Sequence, residues 1–251
     1  GCEVGYSLYL PPGYDDPAAA ALRYPVVYWL HGFGGSETDG QFPVEMVDAG
    51  IRSGNLPPML VVYVNGGRAT FYCDAFDGST KAATTITEEL IPHVDATWRT
   101  LAHREDRALQ GMSAGGFGAL RLGFSRPDLF GSVVAFAAAL RTAEEMQTGP
   151  RAETWAKIFG SDGARFEAAD PVTLVRTRSD ELRERGPAVR LYCGTGDGLI
   201  EHNRRFHRLL DEQRLKFEHV ELPDVGHDLK QLAARVGTDA LEFAVRHFTC
   251  A

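Results

Sequence analysis

Gln110-Gly111-Met112-Ser113-Ala114-Gly115-Gly116-Phe117-Gly118 is the stretch on which the fold of this chain turns. It follows the apolar run Ala108-Leu109-Gln110 and opens a run, Ala114 to Phe124, with helical character. Gly-x-Ser-x-Gly between a strand and a helix reads as a nucleophile elbow, a sharp turn that lifts the serine hydroxyl above a sheet. Gly111 and Gly115 must be small, because a side chain at either would strike the neighbouring helix or strand.

Short apolar runs flank the elbow. Tyr24-Pro25-Val26-Val27-Tyr28-Trp29-Leu30 ends at His31-Gly32, and Met59-Leu60-Val61-Val62-Tyr63-Val64 ends at Asn65-Gly66-Gly67. Val133 to Phe136, Val189 to Cys193 and Phe217 to Leu222 follow downstream. Runs that are apolar throughout suit strands buried on both faces of a parallel sheet. Tyr6-Ser7-Leu8-Tyr9-Leu10 alternates instead and predicts an antiparallel edge strand, ended by Pro11-Pro12-Gly13. Helical stripes fall between the runs. One, over 84–98, carries Ile86, Leu90, Ile91, Val94 and Trp98, with a Thr85–Glu88 capping box and a break at Pro92. Others cover 114–124, 200–215 and 229–248. This alternation predicts an α/β fold, a mostly parallel central sheet with helices on both faces.

The segment 142–186 breaks the rhythm. It is charged, holds Trp155, Phe159 and Phe166, and shows no strand pattern. It is expected to be a helical, cap-like insertion after the sixth strand of a single domain spanning residues 1–251. As a cap it would touch substrate, with Trp155 as the candidate contact; as a decoration it would not.

Composition narrows the function. A chain of 251 residues can bury a large core. Its 34 Asp and Glu against 26 Lys and Arg give a net charge of −8, which argues against nucleic-acid binding. No apolar run approaches the roughly 20 residues of a membrane span. The chain begins Gly1-Cys2 without a signal peptide, and a start other than Met reads as trimmed or processed. Secreted and cytoplasmic locations both stay open, as does the oligomeric state, a homodimer included. Cys2, Cys73, Cys193 and Cys250 form no Cys-x-x-Cys pair, so no metal site is expected. Cys193 fits a buried apolar position. Cys2 and Cys250 lie near opposite ends of the chain, where a bridge competes with free thiols.

A serine hydroxyl needs a base to take its proton, and the base needs an orienting carboxylate. With an elbow, the chain order is serine, acid, histidine. His227, in Pro223-Asp224-Val225-Gly226-His227-Asp228, follows the last strand run. Asp197, in Cys193-Gly194-Thr195-Gly196-Asp197-Gly198, follows the run before it, where loops at strand carboxyl ends hold ligands. Its rivals are Glu201, Asp224 and Asp228, the last two too near His227 to approach its ring from behind. Ser113, Asp197 and His227 are therefore the catalytic candidates. An oxyanion hole requires two backbone N–H groups. Ala114 supplies one at a helix start; Phe33, with Gly34 as the alternative, supplies the other from His31-Gly32-Phe33-Gly34-Gly35. His31 is read as a brace for that loop.

These residues bring a family into view. Tyr6 to Tyr14, Tyr28 to Glu37, Glu89 to Asp95, Gly111 to Gly116 and Arg126 to Phe130 resemble the esterase D and feruloyl-esterase type of α/β-hydrolase. The resemblance implies the α/β-hydrolase fold and hydrolysis of a carboxylic ester through an acyl-enzyme, without cofactor. It points first to feruloyl or acetyl esters of plant polysaccharide, a small-molecule or saccharide-linked substrate. S-formylglutathione hydrolases and general short-chain carboxylesterases are the alternatives, although Met112 and Phe117 depart from the serine segment of the former. By analogy, Tyr72, Asp74, Phe76 and Asp77 would line the substrate pocket. Two other classes compete. Gly194 to Gly198 resembles a dinucleotide loop, but Leu199 stands where its third glycine belongs. A binding protein with dead chemistry would not need all three catalytic side chains.

Overall fold

Among the described residues, seven strands form one sheet, most of them rich in β-branched and aromatic residues. In chain order they are β1 (Tyr6–Tyr9), β2 (Val26–Leu30), β3 (Leu60–Val64), β4 (Arg107–Met112), β5 (Ser132–Phe136), β6 (Ala188–Gly194) and β7 (Glu218–Leu222). The computed structural model describes residues 4–39, 44–161 and 163–249. The sheet order is β1-β3-β2-β4-β5-β6-β7. Only β1 runs antiparallel, pairing Tyr6 with Val64 at the edge. The expected directions of the first strand and the later ones are those observed, but β7 lies at the other edge with Glu218 and His219 exposed rather than buried on both faces.

Helices cover both faces: α1 (Val44–Arg52), α2 (Ala82–Thr84), α3 (Ile91–Thr97), α4 (Ala114–Ser125), α5 (Ala143–Thr148), α6 (Ala152–Phe159), α7 (Gly163–Ala169), α8 (Pro171–Arg185), α9 (Ile200–Glu212), α10 (Leu229–Val236) and α11 (Asp239–Val245). Successive strand residues point to opposite faces, so each strand feeds two cores. Tyr28, Leu30, Val62, Leu109 and Val133 pack on one side with α4 residues Phe117, Leu120 and Phe124. Val27, Trp29, Val61, Ala108 and Phe136 pack on the other with Leu232, Ala240 and Phe243. This double burial is why β2 to β5 are buried at every position.

Three local expectations change. The helical segment leaves the sheet after β5 rather than after a sixth strand, because the apolar runs before it supply five strands and not six. The helix at 84–98 starts earlier, so Thr85 lies inside it and forms no capping box. Its middle, Thr85–Leu90, widens to π spacing just before Pro92, whose ring lacks an N–H and crowds the preceding turn. The helix expected over 229–248 is two, broken at Gly237, which adopts φ +58°. Among the described residues, no strand occurs between β5 and β6. That segment holds α5 to α8 and a ring cluster of Trp155, Phe159 and Phe166, with centroids 4.5–5.3 Å apart.

Cys73 and Cys193 are buried, and burial pushes the Cys193 thiol up to about 12. The Cys2–Cys250 pair lies outside the described residues. Among the described residues, no helix is long and apolar enough to cross a membrane.

The elbow dictates the tightest packing. A Cβ on Gly115 would sit 2.0 Å from the Leu30 carbonyl oxygen, and one on Gly111 would sit 2.5 Å from the Gly115 carbonyl oxygen. The atoms in the way are backbone, so no side-chain rotation relieves them. Gly115→Ala should therefore lose about 3 kcal/mol or more of stability, at the severe end of overpacking. Gly163→Ala, which meets nothing within 4 Å, should change it by less than about 0.5 kcal/mol. Urea denaturation of both variants checks the contrast.

Candidate active site

Ser113 sits between β4 and α4 at φ 59°, ψ −115°, a left-handed conformation that a non-glycine residue adopts only under constraint. The constraint is a set of backbone hydrogen bonds. Its N–H donates to the Phe136 carbonyl at 2.8 Å, and its own carbonyl accepts from Phe117 and Ala139, both at 3.0 Å. Fixed this way, the Ser113 hydroxyl donates to Nε2 of His227 over 3.0 Å. The Nδ1–H of His227 donates to Oδ2 of Asp197 over 2.7 Å. The other Asp197 oxygen accepts the Leu199 N–H at 2.8 Å. The Asp197 side chain is 1% exposed, whereas His227 is 41% exposed. The carboxylate is thus a buried, doubly bonded anchor, and the imidazole faces the opening.

The loops that carry these two groups are stitched together. The Gly196 N–H donates to the Val225 carbonyl, the Thr195 N–H to the Leu222 carbonyl and the Asp224 N–H to Thr195 Oγ1, all at 2.9–3.0 Å. Gly194 permits this, since a Cβ there would lie 2.0 Å from the Val225 carbonyl oxygen. The same bonds explain why the rival acids stand aside. Glu201 pairs with Arg204, and Asp228 caps α10 by accepting the Gln231 N–H. The Asp197 and Leu199 N–H groups are spent inside the loop and that of Gly196 on the Val225 carbonyl, which leaves them unable to cradle a dinucleotide phosphate.

The loop after β2 reaches the serine from the adjacent strand. A Cβ on Gly32 would lie 3.8 Å from the Ser113 Cβ. The Gly34 N–H is taken by the Arg68 carbonyl, so of the two residues expected to supply the second donor Gly34 is already committed. Ala114 opens α4, where an N–H has no acceptor within the helix. His31 is the brace expected of it. Its Nδ1–H donates to the Gly32 carbonyl at 2.8 Å, and Nε2 accepts the Gly66 N–H at 3.3 Å. Burial lowers its pKa, keeping the ring neutral as that pattern requires.

A cavity of about 260 Å³ opens over Ser113, Asp197 and His227. Its other walls are Phe71, Ala114, Ala139, Arg141, Arg151, Gly198 and Leu199. None of the expected substrate contacts is among them. Tyr72 is 1% exposed and donates its hydroxyl to the His31 carbonyl at 2.9 Å, with its ring against Gly66 and Gly118. Asp74 accepts from the N–H and hydroxyl of Thr84. Phe76 lies outside under the Arg165 guanidinium, and Asp77 accepts the Ser79 N–H in an exposed turn. Trp155 is 3% exposed inside the aromatic cluster of the helical segment.

Phe71, the neighbour of the expected Tyr72, lines the cavity in its place. Phe71 and Tyr72 both take positive φ, and this turn sends Phe71 to the cavity and Tyr72 to the scaffold. Arg141 and Arg151 were missed because no local pattern sets them apart from the other arginines of a charged segment. Arg151 lies 3.8 Å over the Phe33 ring; burial, then the Arg141 charge, lowers its pKa.

Comparison with known proteins agrees with this geometry. Residues 1–228 match the family described as "Putative esterase". The chain belongs to that family. It is 32% identical over 133 residues to an endo-1,4-beta-xylanase/feruloyl esterase of Xylanibacter ruminicola, covering 50% of this chain and 18% of that protein. The chain thus spans under a fifth of that relative's length. A solved ferulic acid esterase is similar over 97% of this chain and 92% of its own, with TM-score 0.81 and 25% identity. An S-formylglutathione hydrolase from Agrobacterium tumefaciens shares the fold over 97% and 89%, with TM-score 0.78 at 19% identity. The α/β-hydrolase fold expected from the sequence is the one observed.

Because Tyr72 supports the loop rather than lining the cavity, Tyr72→Phe should lower stability by about 1 kcal/mol through the lost bond to a buried carbonyl. KM for a small ester should stay within twofold. Urea melts and initial-rate kinetics on the same preparation test both halves.

Proposed function

We propose that this chain is a serine carboxylic-ester hydrolase working through an acyl-enzyme. The observation that carries the reading is the continuous hydrogen-bond relay from the Ser113 hydroxyl through His227 to the buried Asp197 carboxylate. His227 Nε2 takes the Ser113 proton as Oγ attacks the ester carbonyl. Negative charge grows on the carbonyl oxygen, where the Phe33 and Ala114 N–H groups are the proposed donors. Collapse of this intermediate breaks the C–O bond to the alcohol, which leaves with the proton from His227. Water then attacks the acyl-enzyme, giving up a proton to His227; the acid departs and Ser113 recovers its hydrogen. Asp197 holds the imidazole in the tautomer this cycle needs and stabilises it when charged.

Feruloyl and acetyl esters of plant polysaccharide are the first substrates to examine. The named activities of the similar xylanase/feruloyl esterase and ferulic acid esterase support that choice. The departures at Met112 and Phe117 make S-formylglutathione the weaker option.

Ser113→Ala should abolish turnover of p-nitrophenyl acetate and labelling by a fluorophosphonate probe. Asp197→Asn should retain the fold yet lower kcat by roughly 10⁴-fold, the cost of a wrongly held tautomer. Full activity in Ser113→Ala would end the proposal. A panel of methyl ferulate, acetylated xylan and S-formylglutathione then ranks the substrates.

A further inference from the structure

Two arginines stand in the wall of the cavity above Ser113, and the relay described above uses neither. Arg141 follows the β5 end and is solvent-exposed; Arg151 leads into α6 and is half-buried. Neither has a carboxylate partner within 4 Å among the described residues. Nη1 of Arg151 is shut off from solvent and has no hydrogen-bond partner among them. Such a donor is costly to leave unmade. Arg151 stays in place through its stack on Phe33 at 3.8 Å, with Phe71 further off at 6.0 Å. Asp197 lines the same cavity, but both its oxygens are committed, to His227 and to the Leu199 N–H. Two like charges therefore face one small opening in a protein whose overall charge is −8.

We infer that the ester processed at Ser113 carries a carboxylate, and that Arg141 and Arg151 bind it. This rests on the hydrolase reading for the chemistry and adds the charge class of the substrate. A guanidinium offers paired N–H donors that match the two oxygens of a carboxylate, and such charge-assisted bonds are stronger than neutral ones. An anion would also relieve the mutual repulsion of the two arginines.

The test uses matched esters that differ by one carboxylate. p-Nitrophenyl hexanoate against the mono-p-nitrophenyl ester of adipic acid places it on the acyl side. Methyl 4-acetoxybenzoate against 4-acetoxybenzoate places it on the alcohol side. In one of the two pairs, the native enzyme should favour the anionic member in kcat/KM by about tenfold or more, and rising salt should erode the preference. Arg141→Gln and Arg151→Gln should each reduce that ratio, and the double variant should bring it to about unity or below. Arg141 is exposed, so its variant remains informative even if loss of Arg151 disturbs Phe33.

Calorimetry of the intact esters with Ser113→Ala reads the same preference without turnover. If the native chain cleaves no ester, the hydrolase reading fails, while the calorimetric ratio still decides the anion site. No anionic preference in either pair would overturn the inference. So would an equal fall for both members of a pair in the variants, because the arginines would then be serving the oxyanion or the scaffold.

Discussion

The site depends on one steric constraint, the contact of α4 with the end of β2 at Gly115. The helix start lies so close to the Leu30 carbonyl that a Cβ at Gly115 would sit 2.0 Å from its oxygen. That approach lets α4 begin directly after β4, with a single residue to reverse the chain. The residue is Ser113, and its positive φ is the consequence. A left-handed non-glycine conformation costs energy, of order 1–3 kcal/mol. Three backbone hydrogen bonds to Phe136, Phe117 and Ala139 offset it. The serine backbone is thus held before any substrate arrives, and its hydroxyl lies against His227.

Topology creates a second problem. Ser113 ends β4, while His227 follows β7, three strands away in the sheet. At about 4.8 Å per strand, that is a gap of roughly 14 Å. The 223–228 loop crosses it by leaning on the loop after β6, where Gly194 allows direct contact with the Val225 carbonyl. The acid and the base are therefore positioned together rather than separately. Loss of that contact would move both groups relative to the serine, although neither Gly194 nor Val225 lines the cavity.

What the sequence disclosed follows from the range of each interaction. The elbow, the strand runs and the order of Ser113, Asp197 and His227 are local signals, and each lies where it was expected. The sequence favours Phe33 over Gly34 without showing why Gly34 is committed, because that depends on the Arg68 carbonyl from another loop. The substrate wall was not legible for the same reason. Phe71 and Tyr72 are neighbours of similar character, and only the strained backbone decides which one faces the cavity. Trp155, the candidate contact of its segment, packs against Phe159 and Phe166 in the segment's own core, and the charged Arg151 lines the opening instead.

Electrostatics ties the helical segment to the chemistry. A chain of net charge −8 repels anions at long range, yet within a Debye length of about 8 Å the local charges decide. At the mouth over Ser113 those are Arg141 and Arg151. The Arg151 stack on Phe33 links the segment to the loop whose N–H is the proposed oxyanion donor. A substrate carboxylate drawn to Arg151 would tighten that stack's surroundings at the moment the scissile carbonyl needs the Phe33 amide in place. Binding of the charged group and alignment of the reacting bond would then be one event, with the helices after β5 acting as part of the site rather than as its cover.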